Sequence, residues 1–333
     1  MHNFYDKWLR FWDDEQEERA AGRKCLQEEE KEWVKTRQDY RASLLCGREN
    51  GFVTAGAVMQ AIIPPGWNTG KHSHGEEGIF ILQGKGFTVM DGQRYDWDAG
   101  SCLFMPYGSV HQHFNPGEEE ASYLSVTGIA TERFAGLARL DQYEDAAETY
   151  LNQTDGIPLA ASDIHPEFGR IVLRMKDAGI LAGADQAAAR GARTDEFHRT
   201  LPKEMTTPGA VGHRAKEVNL MAAPENSFKA REIQLTHVLI DEPGGHSGKH
   251  SHMEAVLYVL QGEGYSIIDG ERLEWKKGTL LHVQGPATVH QHFNTGKIES
   301  HQLRIHYGLR SSFYQGIAKS VFPYRYYQVS SYK

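Results

Sequence analysis

Cysteine is scarce in this chain, and long apolar runs are missing. The three cysteines among 333 residues are Cys25, Cys46 and Cys102. An odd number without close spacing argues against a disulfide framework and predicts reduced thiols in a cytoplasmic protein. The longest clearly apolar run near a motif, residues 255–260, is far short of the roughly 20 residues a membrane helix needs. The opening stretch MHNFYDKWLRFWDDEQEE is acidic and lacks the apolar centre of a signal peptide. Clustered basic residues are also missing. A net charge of −8 and a pI near 6.1 argue against a general nucleic-acid binder, because phosphate neutralisation needs grouped Lys and Arg. No Ser-His-Asp or CxxC pattern stands out, and the glycines of GKGF and GEGY are hairpin glycines because no helix follows them. What remains is a globular composition, 40% hydrophobic and 24% charged, with length for two domains.

The chain contains an internal repeat. GWNTGKHSHGEEGIFILQGKGFTVMDGQRYDWDAG, from Gly66, recurs as GHSGKHSHMEAVLYVLQGEGYSIIDGERLEWKKG, from Gly245. His72 meets His250 at an offset of 178, which also carries Gly84 to Gly262 and Asp91 to Asp269. One inserted residue, around Gln284-Gly285-Pro286, then shifts the offset to 179, so that HQHFN at 111–115 meets HQHFN at 290–294. Each copy has short apolar runs (GIFILQG, AVLYVLQG) and an Asp-Gly hairpin signal, Asp91-Gly92 and Asp269-Gly270, the pattern of an antiparallel sandwich or closed barrel.

Outside the repeat, residues 4–45 read as helical, with Phe4, Trp8, Phe11 and Trp12 forming a stripe that predicts packing onto the body or a neighbouring subunit. Residues 131–151 and 165–190 read as linker helices broken near Gly156 and Pro158, while 191–229 carries a weak signal. The expected domains are a helical extension (1–50), a first barrel (51–130), a helical and irregular linker (131–229), a second barrel (230–315) and a tail (316–333).

Eight of the 17 histidines fall in HSH (His72, His74; His250, His252) and HQH (His111, His113; His290, His292). On a strand, residues two apart share a face, so each HSH presents two imidazoles together, and a facing strand can add a third. Imidazole suits Fe, Zn, Cu, Ni and Mn, so spacing alone does not choose the metal. Three histidines in matched motifs, twice over, outweigh the ordinary reading of a buried histidine as a hydrogen-bonded core residue. His113 and His292 are candidates for contacting substrate or moving protons, with barrel-wall packing as the alternative. Arg304 and His306, on one face of LRIHYG, are further candidates; an Arg there can grip an anion through paired bonds or form a salt bridge across the barrel. His246 and His282 read as surface or loop residues.

These motifs resemble those of the cupin superfamily over about 55 residues in each half. His72, His74, Glu77 and Gly84 fit the first cupin motif, and Gly100, Pro106, Gly108, His111 and Asn115 the second. In the second copy Gly278, His290 and Asn294 remain, and Ala255 replaces the expected glutamate. The resemblance implies an all-β-dominated protein of two jelly-roll-like barrels, with a helical extension and linker helices. It implies metal ligation by His72, His74, His111, His250, His252 and His290. Glu76, Glu77 and Glu254 are the candidate carboxylates, with hydrogen bonding to a ligand or exposure to solvent as their other fates.

Three-His sites without a carboxylate resemble the bicupins of the gentisate and 1-hydroxy-2-naphthoate dioxygenase group. That resemblance implies an Fe(II)-dependent dioxygenase cleaving a small hydroxylated aromatic acid or diol with O2, with Mn, Ni or Zn as other metals the site could take. Both barrels are expected to bind metal and the second to turn over substrate, in a homo-oligomer. Other expectations are a metal-dependent cupin enzyme of the Mn oxalate decarboxylase type, an isomerase or lyase, or a non-catalytic metal- or small-molecule-binding bicupin.

Overall fold

The computed structural model describes residues 3–149, 158–181, 216–221, 226–247, 249–285, 288–306 and 325–326. Gly156, Pro286 and most of 191–229 and 316–333 lie outside the described residues.

Each half is a barrel built from two sheets of antiparallel strands. In the first half, Val172–Arg174, Ser101–Met105, Glu77–Gln83, Ala121–Thr127, Ala57–Ile63 and Arg41–Cys46 lie side by side in one sheet. The other holds Lys71–Ser73, His111–Asn115, Lys85–Met90 and Gln93–Asp98. The second half repeats this with Leu280–Val283, Ala255–Gln261, Ser300–His306 and Gln234–Asp241 in one sheet, and Glu271–Lys276, Glu263–Ile268, His290–Asn294 and His250–Ser251 in the other. The Asp-Gly pairs make the hairpin turns: Asp91 and Gly92 both have positive φ (47° and 77°), as do Asp269 and Gly270 (49° and 83°), the left-handed geometry of a tight turn whose twist matches its strands. Each turn aspartate also accepts a backbone hydrogen bond, from Val110 N or Val289 N.

Strand alternation sorts the side chains into two layers. Ile79 and Ile81 point into the first barrel with Tyr95, Trp97 and Tyr123, and Leu257 and Val259 point into the second with Trp275. The intervening residues, Phe80, Leu124 and Val126 from one barrel and Val256, Tyr258, Leu303 and Ile305 from the other, form one shared core between the barrels. Truncating one of these fully buried leucines to alanine would cost about 3 kcal/mol.

Several elements differ from the sequence expectation. Helix α1 spans Phe4–Ala21 and no further; Asn3 and Asp6 cap its start, and Gly22 ends it close against Val53. The chain then turns extended, and Cys25–Leu26 joins the edge of the second barrel's sheet, beside Leu280–Val283. No residue of the helix is buried, and Phe4, Trp8 and Phe11 of its aromatic stripe are each more than half exposed. Among the described residues the expected linker helices are replaced by one short helix, α2 (Ile129–Ala135), followed by the strands Asp141–Glu144 and Ala147–Glu148, and by short strands and a 3-10 turn within 164–181, while 150–151 and 182–190 of that expectation lie outside the described residues. These strands extend the barrel sheets: Val172–Arg174 closes an edge of the first barrel, and Ile180–Leu181 adds to the second. Pairing to a sheet edge decides this, and helical spacing in the sequence does not register it.

Two acids face each other between the barrels. Glu132 of α2 is almost fully buried, its carboxyl lies against Gly75, and it shares the site with Glu232. Burial, reinforced by the Glu232 carboxylate, raises Glu132 to about 7 from 4.5. A raised carboxyl contributes stability that is fully present below about pH 4.5 and lost as pH climbs through about 7. Glu132→Gln should therefore melt close to wild type at pH 5 and be more stable by roughly 1–2 kcal/mol at pH 8. A stability difference between the two proteins that does not change between these pH values would refute the assignment.

Candidate metal centres

His72 and His74 come from one strand end and His111 from the paired strand, where His111 lies directly across from His72. Their ring centres are 4.3–5.0 Å apart. Each ring is oriented by a backbone carbonyl: Nδ1–H of His72 donates to Gly70 (2.9 Å), of His74 to Gly75 (2.9 Å) and of His111 to Ser109 (3.0 Å). That leaves the three Nε2 lone pairs converging, within 4.8 Å of one another. Glu77 joins them, with Oε2 3.4 Å from His111 Nε2 and 3.6 Å from His74 Nε2, while its Oε1 accepts from Ser125. Burial by itself would raise the Glu77 carboxyl, but the neighbouring imidazoles of His111, His74 and His113 outweigh it and hold the group below the usual carboxylate range. Burial, with His111 and His74 alongside, pushes His72 far below the ordinary imidazole range. His72 Nε2, His111 Nε2 and Glu77 Oε2 are all buried without a hydrogen-bond partner. Orphaned lone pairs are costly unless a cation takes them. Three imidazole nitrogens and one carboxylate oxygen fit a divalent transition metal.

The second triad repeats the imidazoles but not the acid. His250, His252 and His290 have ring centres 4.3–5.2 Å apart, and His290 again lies across from its HSH partner, His250. Nδ1–H of His252 donates to Met253 O and that of His290 to Thr288 O, so two unprotonated Nε2 atoms meet at 3.1 Å. Facing lone pairs at that distance suit a shared cation. Where the first barrel has Glu77, the second has Ala255. Where it has Ser125, the second has Arg304, whose guanidinium donates to His252 Nε2. His306 is buried beside His252, with ring centres 5.9 Å apart, and its Nδ1–H donates to Glu254 O (3.0 Å).

Glu76 and Glu254 lie away from both triads, which corrects the expectation that either could be a ligand. Glu76 accepts from the backbone N–H groups of Arg231, Glu232 and Ile233 in the second barrel. Glu254 accepts from Ala55 N in the first barrel (3.2 Å) and pairs with His282 (2.9 Å). Each precedes an inward-facing residue, Glu77 or Ala255, so strand alternation turns its side chain to the inter-barrel layer. His282, read as a surface or loop residue, is fully buried on Leu280–Val283 because it serves that contact; His246 is half-buried beside Phe293.

His113 and His292 form matched units that the motifs alone do not reveal. Trp97 Nε1–H donates to Thr88 Oγ1 (3.0 Å), and that hydroxyl meets His113 Nδ1 at 2.7 Å. Trp275, Ser266 and His292 repeat this at 3.1 and 2.7 Å. A hydroxyl that accepts from tryptophan has its own proton available for Nδ1, an arrangement that would place the ring hydrogen on Nε2. Burial lowers His113 to about 3 and His292 well below the usual range, so both rings stay neutral. Thr88/Ser266 and Trp97/Trp275 recur at the 178-residue offset, a signal in the sequence that could have exposed the arrangement. Ser125 carried no such signal, since Arg304 stands in its place.

The comparisons with known proteins agree with this fold. Residues 59–127 and 237–303 each match the cupin domain family. Each of the two barrels thus holds one cupin domain. Its fold is similar to that of a salicylate 1,2-dioxygenase from Pseudoaminobacter salicylatoxidans, in a structure of its adducts with gentisate (TM-score 0.58, 14% identity, 97% of this chain and 83% of that one). It is also similar to a Bacillus subtilis oxalate decarboxylase mutant (TM-score 0.59, 14% identity, 86% of this chain and 78% of that one). A 64-residue stretch is 33% identical to the 5-aminosalicylate 1,2-dioxygenase of a Comamonas species, covering 19% of this chain and 17% of that relative's length.

Removing the Ser125 hydroxyl should free the Glu77 carboxylate and lower metal affinity of the first barrel by about 10- to 100-fold. Glu77→Ala should lower it further. Calorimetric titration of Co(II) into Ser125→Ala and Glu77→Ala, each in a chain carrying His250→Ala and His252→Ala, tests this; unchanged affinity in both would show that Glu77 is not a ligand.

Proposed function

We propose that this bicupin is a non-haem Fe(II) dioxygenase that cleaves the ring of a small hydroxylated aromatic acid, with the second barrel as the catalytic one. The observation that carries the reading is the exchange of Glu77 and Ser125 for Ala255 and Arg304: three imidazoles remain, a carboxylate leaves, and a fixed positive charge enters. A metal held there by His250, His252 and His290 would keep positions for substrate oxygens and O2 and supply the redox chemistry. The protein's own groups orient and protonate. Arg304 offers a paired-donor fork to the substrate carboxylate. His306, with Nδ1–H committed to Glu254 O, presents Nε2 as the basic atom for a substrate hydroxyl proton. His292 presents an N–H from the barrel wall, set by Ser266 and Trp275.

Support also comes from the likeness to dioxygenases named for salicylate and 5-aminosalicylate. The first barrel favours a second reading. Its three histidines and Glu77 form a carboxylate-bearing set suited to Mn, in a fold like that of an oxalate decarboxylase, and would then act on a small dicarboxylate.

Anaerobically purified protein should contain iron and consume O2 with at least one of gentisate, salicylate, catechol or hydroquinone. His250→Ala with His252→Ala should abolish this, and Arg304→Ala should raise KM for an acid by about 10- to 100-fold. Full activity in the first of these variants, together with loss in His72→Ala with His74→Ala, would move catalysis to the first barrel. No O2 uptake with any of these compounds, with CO2 released from oxalate, would replace the dioxygenase reading by the second one.

We further propose that the exposed aromatic face of α1 joins copies of the chain, since Phe4, Trp8, Phe11 and Trp12 are each at least 44% exposed. Deleting residues 1–20 should reduce the assembly size measured by light scattering, and an unchanged mass per particle relative to the chain would count against it.

A further inference from the structure

The two triads differ in charge more than in shape. The first places a buried carboxylate, Glu77, against its imidazoles, so a divalent cation entering there meets a built-in counter-charge. The second places Arg304 at the position of Ser125, with its N–H on His252 Nε2, one of the atoms the cation needs. A guanidinium does not lose its proton. Among the described residues no carboxylate pairs with Arg304: Glu254 is turned to Ala55 N and His282, and the Glu77 position is Ala255. A cation bound by the second triad would therefore sit in a buried site beside a second positive charge, without the carboxylate that Glu77 supplies in the first barrel. An arriving carboxylate changes both terms at once, because it draws the Arg304 fork away from His252 and neutralises charge next to the cation.

We infer that the second barrel takes its divalent cation together with an anion, a carboxylate carrying a neighbouring oxygen donor, whereas the first barrel takes its cation unaided. This deepens the proposed function and rests on its assignment of a metal to His250, His252 and His290. The carboxylate engages Arg304 and the neighbouring oxygen completes the cation's ligands. The pair Ala255 and Arg304 is thus a specificity determinant: it makes site loading conditional on a chelating acid. Linkage requires the effect to be mutual, so the cation must raise affinity for the anion by the same factor.

Equilibrium dialysis of the full chain against Co(II), with and without salicylate, tests this; benzoate serves as a carboxylate without the second donor. Wild type should retain one tightly bound Co(II) per chain alone and two with salicylate. In His72→Ala with His74→Ala, salicylate should raise Co(II) affinity by about 10- to 100-fold, and Co(II) should raise salicylate affinity equally. Benzoate should produce a smaller rise. Ala255→Glu with Arg304→Ser, which installs the first barrel's pair in the second, should bind Co(II) tightly without salicylate. Two Co(II) per wild-type chain with equal affinity in the presence and absence of salicylate would overturn the inference while leaving the metal assignment intact. No second Co(II) under either condition would overturn the metal assignment and the inference with it. The wild-type stoichiometry keeps the test decisive if a variant does not fold.

Discussion

Strand alternation is the constraint on which the rest of this molecule depends. The central strands of the inter-barrel sheets, Glu77–Gln83, Ala121–Thr127, Ala255–Gln261 and Ser300–His306, are buried along most of their length, one face toward their own barrel and one toward the other, so a polar residue there has little solvent to face. A shift of one residue moves a side chain from the metal-ligand set to the domain interface. Glu76 and Glu77 are neighbours in sequence and do unrelated work for that reason: one satisfies three backbone N–H groups of the second barrel, the other faces three imidazoles. Glu254 and Ala255 repeat the geometry, and there the inward position has lost its acid.

The interface acids make the two barrels reciprocal. Glu76 reaches Ile233 N, and Glu254 reaches Ala55 N, the residue that precedes Ile233 by the repeat offset of 178. Each carboxylate thus replaces, for a backbone group of the other domain, the water lost when the sheets pack. The segments outside the repeat reinforce this by crossing over: Cys25–Leu26 pairs with the second barrel before the chain enters the first, and Val172–Arg174 returns to the first after the chain has left it. Separating the barrels would expose apolar surface, strand edges and buried acids together.

Inside each barrel the polar cluster is expensive, and its cost is met locally. Backbone carbonyls fix the tautomers of His72, His74 and His111, and of His252 and His290, so that the unprotonated nitrogens converge. The Trp-hydroxyl-His units at His113 and His292 hold a further imidazole in each barrel through its Nδ1. The barrels keep both devices and diverge at one pair of positions, Glu77 with Ser125 against Ala255 with Arg304. The scaffold is therefore duplicated while the charge of its centre is reversed.

The repeat, the Asp-Gly turns, the two barrels and the six triad histidines were legible in the sequence by itself, because each rests on local chemistry: period-two spacing, turn residues that accept positive φ, and imidazoles two apart on a strand. Glu77 fitted the first motif, yet Glu76 and Glu254 stood beside it as candidate acids. Tertiary structure put Glu77 alone of the three beside the histidines, since the face to which a residue points matters only once a second sheet lies across from it. The same holds for His282, drawn into the core by Glu254, and for the linker, whose apparent helical stretches became edge strands where barrel edges were available to pair with them. The aromatic stripe of α1 was visible as a pattern, yet its exposure on this chain followed only from where the helix ends, at Gly22, before the chain turns away along the second barrel.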